Sequence, residues 1–241
     1  MNNRTKYQGV FNIIRFNWPF YIIGLTGSLL LVLVPLPFMR FFSLLIIGQM
    51  FISLLVSWYV YDLSGIYELN WLKEMDGKVL NINAGFDEIS VTIRNRFEKI
   101  NLKVLDFYDD KLMTESSIKR ARKAYPLEAG TELIKPTNLC VSIGYDKVIL
   151  FFSAHEIRKK IDRDKFFEEL NRITNTNGEI YIIEHLRDWK NFLAYTVGYF
   201  HFYSKKTWLS TFKYGGFELI EEDKITPFVT LFKLKKNGST S

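Results

Sequence analysis

Two stretches without a single charged side chain, Trp18 to Phe38 and Phe41 to Tyr61, set the first constraint on this chain. Each is 21 residues long, against the roughly 20 that a helix needs to cross a hydrocarbon core. Pro35 and Pro37 stop the first helix and Arg40 marks the turn, so a tight hairpin with both ends on one side is predicted. Arg4, Lys6 and Arg15 precede the first run, an excess of cations that places both termini in the cytoplasm of a bacterial inner-membrane protein with two crossings. Trp18, Tyr21, Trp58, Tyr59 and Tyr61 fall near the cytoplasmic ends, as an interfacial belt does. A cleaved signal peptide has a shorter apolar region and no second span behind it. A soluble helical hairpin has a polar face, which both runs lack.

The hairpin also explains the charge. The 241 residues carry a formal net charge of +6, which by itself suggests a nucleic-acid partner. Four of the cations lie in residues 1–61, where there is no carboxylate, so the remainder is nearly neutral and a nucleic-acid surface is not expected. Cys140 is the only cysteine, so an internal disulfide and a multi-cysteine zinc site are excluded. The three histidines lack i, i+4 spacing, and no metal is expected from them.

Beyond a polar junction at 62–76, short apolar runs alternate with amphipathic stretches. Strands are predicted at Val79–Ile82, Lys103–Phe107, Thr131–Ile134, Asp146–Phe152 and Glu179–Ile183. Helices are predicted at Asp87–Ile100, Met113–Ala124, Arg163–Ile173 and Ser204–Lys213. Two final strands, Phe217–Glu221 and Phe228–Leu234, read as an antiparallel edge hairpin, and 237–241 as a disordered tail. The pattern is that of an α/β fold, a Rossmann-like doubly wound, mostly parallel sheet with an antiparallel C-terminal strand, behind a two-helix transmembrane hairpin. Ligands of such sheets bind beyond the carboxyl ends of the strands. There the first strand runs into Asn83-Ala84-Gly85 and the second ends at Asp106-Phe107. His155 and His185 follow the fourth and fifth strands, with Glu156, Glu184 and Asp188 beside them, and His201 precedes the last helix. Histidine is suited to taking or holding a proton near neutrality. Tyr195, Tyr199, Phe200, Phe202 and Tyr203 with His201 suggest either an aromatic lid over an apolar acceptor or ordinary helix core.

Residues 77–236 resemble the class I S-adenosylmethionine-dependent methyltransferases. The resemblance rests on Val79-Leu80-Asn81-Ile82-Asn83-Ala84-Gly85, on Asp106, on Tyr145-Asp146-Lys147-Val148 with Phe152 to Ile157, and on Leu170 to Glu179. These last segments are most similar to the ubiquinone and menaquinone methyltransferases, and Glu184 to Asp188 with His201 to Ser204 to a group of membrane-attached ones. The resemblance implies S-adenosyl-L-methionine as cofactor, held by Asn81, Asn83, Ala84, Gly85, Asp106 and Phe107 in an open crevice. It also implies a lipophilic small-molecule acceptor at His201, Tyr199 and Tyr203, with His155, His185 and Glu156 as catalytic candidates. Asn81 stands where the family carries an acid, and Asn83 and Asp87 where glycines are common, so a non-catalytic binding or scaffold protein at the membrane is the alternative. A nicotinamide enzyme is disfavoured because G-x-G-x-x-G is absent. The sequence does not indicate the oligomeric state.

Overall fold

The structure, a computed structural model, describes residues 4–113 and 115–238; from residue 239 onward the tail predicted at 237–241 lies outside them. Helices α1 (Gln8–Leu33) and α2 (Pro37–Trp58) form the hairpin. There follow β1 (Gly77–Asn83), α3 (Ser90–Arg96), β2 (Ile100–Asp106), α4 (Ser116–Ala124), β3 (Thr131–Leu133), β4 (Tyr145–Phe151), α5 (Lys160–Ile173) and β5 (Thr174–His185). The chain ends with α6 (Trp189–Tyr195), α7 (Lys205–Tyr214), β6 (Phe217–Thr226) and β7 (Val229–Lys236). The seven strands form one sheet in the order β3-β2-β1-β4-β5-β7-β6. Its first four pairings are parallel, and β7 runs antiparallel to both β5 and β6.

The central strands are buried on both faces, as their near-continuous apolar runs require. Leu80, Ile82, Val148, Leu150, Ile180 and Ile182 face α5 and α7. Val79, Ile149, Phe151, Tyr181 and Ile183 face the opposite layer. That layer includes the segment read from sequence as a polar junction: Ile66, Tyr67, Leu69, Leu72 and Met75 are all buried there. The hairpin is therefore fused to the domain through packed core. The helix predicted over Asp87–Ile100 is shorter than expected. Asp87 Oδ1 accepts hydrogen bonds from the backbone N–H groups of Ile89 and Ser90, which delays its start, and Phe97 is already extended.

Helix α1 is interrupted at Asn17, whose φ of −117° is not helical, two residues before Pro19. Its first two turns lie on the domain. The Asp62 carboxylate accepts from the N–H groups of Gly9 and Val10 at 2.7 and 2.8 Å, filling orphan donors of the helix start. A Cβ at Gly9 would stand 2.4 Å from Tyr61 Cβ, so only glycine permits this approach. Past the break the two helices meet through Ser28 and Ser43, whose hydroxyls are 2.6 Å apart, while Phe20, Ile23, Leu29, Leu33, Phe41 and Leu44 point outward, exposed. On the other side of the hairpin, Gln49 donates to the carbonyls of Leu193 and Ala194, which docks α6 against the middle of α2.

Candidate functional site

Asn83 of β1 lies opposite Asp106 of β2, Asn81 opposite Ile149 of β4, and Phe151 of β4 opposite Ile183 of β5. The four strands thus end level with one another, and the candidate residues share one rim.

At the β1–β2 end, Asp106 is buried and its carboxylate is fully engaged. Oδ1 accepts from the N–H groups of Gly85 and Tyr108 at 3.0 and 2.8 Å, and Oδ2 is paired with Arg122 of α4 at 2.5 Å. Burial pushes the Asp106 carboxyl up, opposed by those N–H groups and by the guanidinium. Gly85 has φ +98°, and a Cβ there would meet the Tyr108 ring at 2.7 Å. Behind the loop, the Asn81 amide donates to Ser90 Oγ at 2.8 Å. Asn83 Nδ2, Asn81 Oδ1 and Asp87 Oδ2 are buried without a partner among the described residues. Ala84 and Phe107 turn into the core, where the Phe107 ring packs on Phe166. Phe107, expected among the cofactor-binding residues, brings a backbone N–H to this rim, donated to the Asn83 carbonyl, while its ring lies in the core.

Beyond β4, Phe152 adopts φ +48°, rare for a bulky residue, and starts the turn that carries His155 and Glu156. His155 Nδ1 lies 2.7 Å from Glu184 Oε2, and the His155 N–H donates to Glu184 Oε1 at 3.1 Å. His155 Nε2 and His201 Nε2 each lie 3.5 Å from Glu156 Oε1, and His201 Nδ1 rests against the Glu115 carboxylate. Burial works against a charged His155, but Glu184 and Glu156 more than offset it and hold its pKa well above the ordinary imidazole value. His201 is raised for the same reasons, by Glu115 and Glu156. Burial would raise Glu156, yet the two imidazoles hold it well below the usual carboxylate range.

His185 does not join this group. Its ring is stacked between Phe152 and Phe202, Nε2 contacts the Tyr61 hydroxyl at 2.8 Å, and Nδ1 lies 2.9 Å from the Phe228 carbonyl. Burial drives its pKa down to about 4. The expectation of an acid–base role for His185 is corrected on that ground: both ring nitrogens are used inside the core. Tyr203 is likewise no pocket residue. Its hydroxyl donates to the Ile157 and Arg158 carbonyls, and its ring lies on Trp208 and under Arg163. Tyr199 sits between Phe192 and Phe200 in an aromatic surface cluster.

Arg122, Tyr108 and Glu115 were not singled out in the sequence. Ile118, Arg122 and Tyr125 share a helical stripe by their i, i+4, i+7 spacing, and that stripe faces the rim.

No protein-family profile matches the chain, and no curated protein matches it in sequence. Solved structures do match. Mitomycin 7-O-methyltransferase MmcR is 10% identical with a TM-score of 0.58, over 97% of this chain and 74% of that one. An S-adenosylmethionine-dependent methyltransferase from Clostridium acetobutylicum is 11% identical with a TM-score of 0.50, over 68% and 85%. A further one from Leishmania major is 16% identical with a TM-score of 0.50, over 76% and 77%. The chain has the class I methyltransferase fold. At these identities the likeness concerns the fold, and the MmcR match takes in most of the hairpin as well as the sheet.

The rim at the ends of β1 and β2 can be compared with what S-adenosylmethionine would need. Its polar set suits an adenosyl amino acid: a carboxylate at the tip of β2, and unpartnered amide and carboxylate atoms beneath the β1 loop. The space is tighter than the open crevice expected from sequence. A cavity of about 250 Å³ lies among Asp87, Asp106, Arg122, Tyr125, Leu127 and Thr131, below the usual range of ~300–1,000 Å³ for ligand pockets. The residues fit the group, and Arg122, paired with Asp106 in the cavity wall, is the side chain that would turn aside to admit it.

Proposed function

We propose that this chain is a membrane-attached S-adenosylmethionine-dependent methyltransferase acting on a lipophilic small molecule at the cytoplasmic face. The observation that carries the reading is Asp106: a buried carboxylate at the tip of β2, turned toward the Gly85 N–H in a sheet of this order. When bound, the cofactor supplies a methyl group already activated on a sulfonium, so the protein's task is alignment. Asp106 holds the ribose hydroxyls once Arg122 withdraws, and Asn83 and Asp87 offer their free polar atoms to the amino-acid end. On the acceptor side Glu156, kept ionised by its two imidazoles, accepts the hydrogen bond of an acceptor hydroxyl, with His155 positioned by Glu184.

Attachment to the bilayer is supported by two helices long and apolar enough to cross one and by the surface beside them. Trp189, Phe192, Leu193, Val197 and Phe200 are exposed next to α2. From Pro37 to Gly48, the part of α2 beyond the Gln49 docking point, the helix rises about 18 Å. With α6 sunk into the near interface by its own diameter of ~10 Å, the hairpin matches a core of ~30 Å and Arg40 reaches the far side. On this reading the transfer site lies at the membrane surface, where an apolar acceptor is concentrated.

The Arg122–Asp106 pair favours a second reading, a non-catalytic binding protein whose crevice stays shut. Membranes carrying the wild type or Asp106→Asn, incubated with methyl-labelled S-adenosylmethionine, separate the two. Label entering the organic extract with the wild type only supports the transferase. Label absent with both, from folded protein, supports the closed reading.

A further inference from the structure

The imidazoles and carboxylates beyond β4 are arranged for something besides pairing with each other. The Nε2 atoms of His155 and His201 face one oxygen of Glu156, each at 3.5 Å. That separation is long for a hydrogen bond. It suits two ligands of one ion, since bonds of ~2.0–2.1 Å in a tetrahedron place neighbouring ligands about 3.3 Å apart. The three candidate ligand atoms all lie within 4.8 Å of one another.

We infer that His155, Glu156 and His201 form a binding site for one divalent first-row metal ion of the zinc type. The surroundings of the two histidines carry the argument further. Metal-bound imidazoles turn their remote nitrogen to a carboxylate, which fixes the tautomer and aims the lone pair at the ion. Here Glu184, wholly buried, takes His155 Nδ1 at 2.7 Å and leaves His155 Nε2 to the shared point, while Glu115 stands beside His201 Nδ1 as a charged neighbour without hydrogen-bond geometry. Three carboxylates, Glu115, Glu156 and Glu184, surround the two imidazoles. Arg158 fixes the His201 segment by donating to its carbonyl at 2.6 Å. The ion would tie together the turn after β4, the start of α4 and the segment before α7.

Two nitrogens and one carboxylate select a borderline ion over magnesium or calcium. Three protein ligands leave a position for water or a substrate oxygen. The existence of the site does not rest on the methyltransferase reading.

The test uses the full chain in detergent, stripped with a chelator and titrated with Zn²⁺ by calorimetry, with Co²⁺ as a spectroscopic probe. One equivalent is expected, with Co²⁺ ligand-field bands of a nitrogen- and oxygen-bound ion and no thiolate charge transfer. His201→Gln and Glu156→Gln should weaken binding more than about 100-fold, and Glu184→Gln about 10- to 100-fold. Cys140→Ser, which removes the exposed thiol, should change nothing. Circular dichroism confirms that each variant is folded, and the wild-type Co²⁺ spectrum decides the matter even if one is not. Absence of a stoichiometric ion in folded wild type, or binding abolished in Cys140→Ser and unchanged in His201→Gln, overturns the site.

Discussion

The two halves of the rim handle buried charge in opposite ways. Over β1 and β2, the Asp106 carboxylate is paired with one arginine, and among the described residues Asp87 Oδ2, Asn81 Oδ1 and Asn83 Nδ2 nearby find no partner. Beyond β4 and β5, two imidazoles stand among three carboxylates, each ring touched at both nitrogens. An arginine on a helix surface, partly exposed, withdraws into water at small cost, so the first half is built to open. The second half cannot relax that way: its buried carboxylates demand positive charge, and only a proton or a metal ion provides it. A ligand that arrives with hydroxyls suits the first half, and one that coordinates or hydrogen-bonds to fixed charge suits the second.

The sharpest way to break this contrast is His185, which lies beside the charged half yet belongs to apolar core. Its folded pKa of about 4 lies below the unfolded value of about 6.5, so the unfolded chain binds the proton first and stability falls as pH drops through that window. The full effect is about 3 kcal/mol. Glu88, buried against Tyr67 and raised to about 6, acts in the opposite sense: its contribution grows as pH falls from about 6 to 4.5. Urea midpoints of wild type and His185→Phe from pH 7 to pH 4 should therefore be compared with each other. The variant should lack the 3 kcal/mol loss, and a parallel pair of curves would mean that His185 is charged like its neighbour His155.

Next in size is Asp106→Ala. Charge-assisted hydrogen bonds of about 1.5–3 kcal/mol each are lost, so S-adenosylmethionine binding should weaken by about 100-fold while the melting temperature moves by only a few degrees. Equal affinity would remove Asp106 from the site. Arg122→Ala tests the opening itself. Freed of its partner, Asp106 should bind the cofactor more tightly, since the buried carboxylate no longer has to give up its arginine first. Weaker binding would make Arg122 a cofactor ligand instead of a gate. The smallest effect concerns the patch on α6. In a protein whose other tryptophans are replaced by phenylalanine, Trp189 fluorescence should be quenched by lipids brominated near the headgroup, and Trp189→Asp should lower vesicle partitioning a few-fold. An unquenched Trp189 would lift α6 off the bilayer and leave the hairpin too short to cross.

The sheet could be read from sequence wherever a strand is buried on both faces. Val79–Ile82, Asp146–Phe152 and Glu179–Ile183 are mostly apolar runs, broken only by Asn81 and by charged residues at their starts, and they fall on β1, β4 and β5. What escaped were residues whose role depends on a partner far along the chain. The apolar residues of the segment 62–76 are spaced among polar ones and have neither helical nor strand period, so their burial against β1 and β4 has no local signal. Helix α6 was also missed, although Asp188 accepts from the Asn191 N–H as an N-cap should. The run Ile118 to Lys123 reads from sequence as a basic, solvated helix face that anionic lipid could attract, and only stripe spacing sets Arg122 apart from Lys119 and Lys123. Asp106 was legible because the end of a second strand is a fixed place in this topology. Glu184 was legible only as a neighbour of His185, because alternation along β5 sends the two side chains to opposite faces.

Calorimetry of the full chain in detergent with S-adenosylmethionine and S-adenosylhomocysteine tests the central claim most directly. One molecule of either should bind per chain, with heat that disappears in Asp106→Ala. A folded protein that takes up neither ligand, even with Arg122 replaced by alanine, would contradict it.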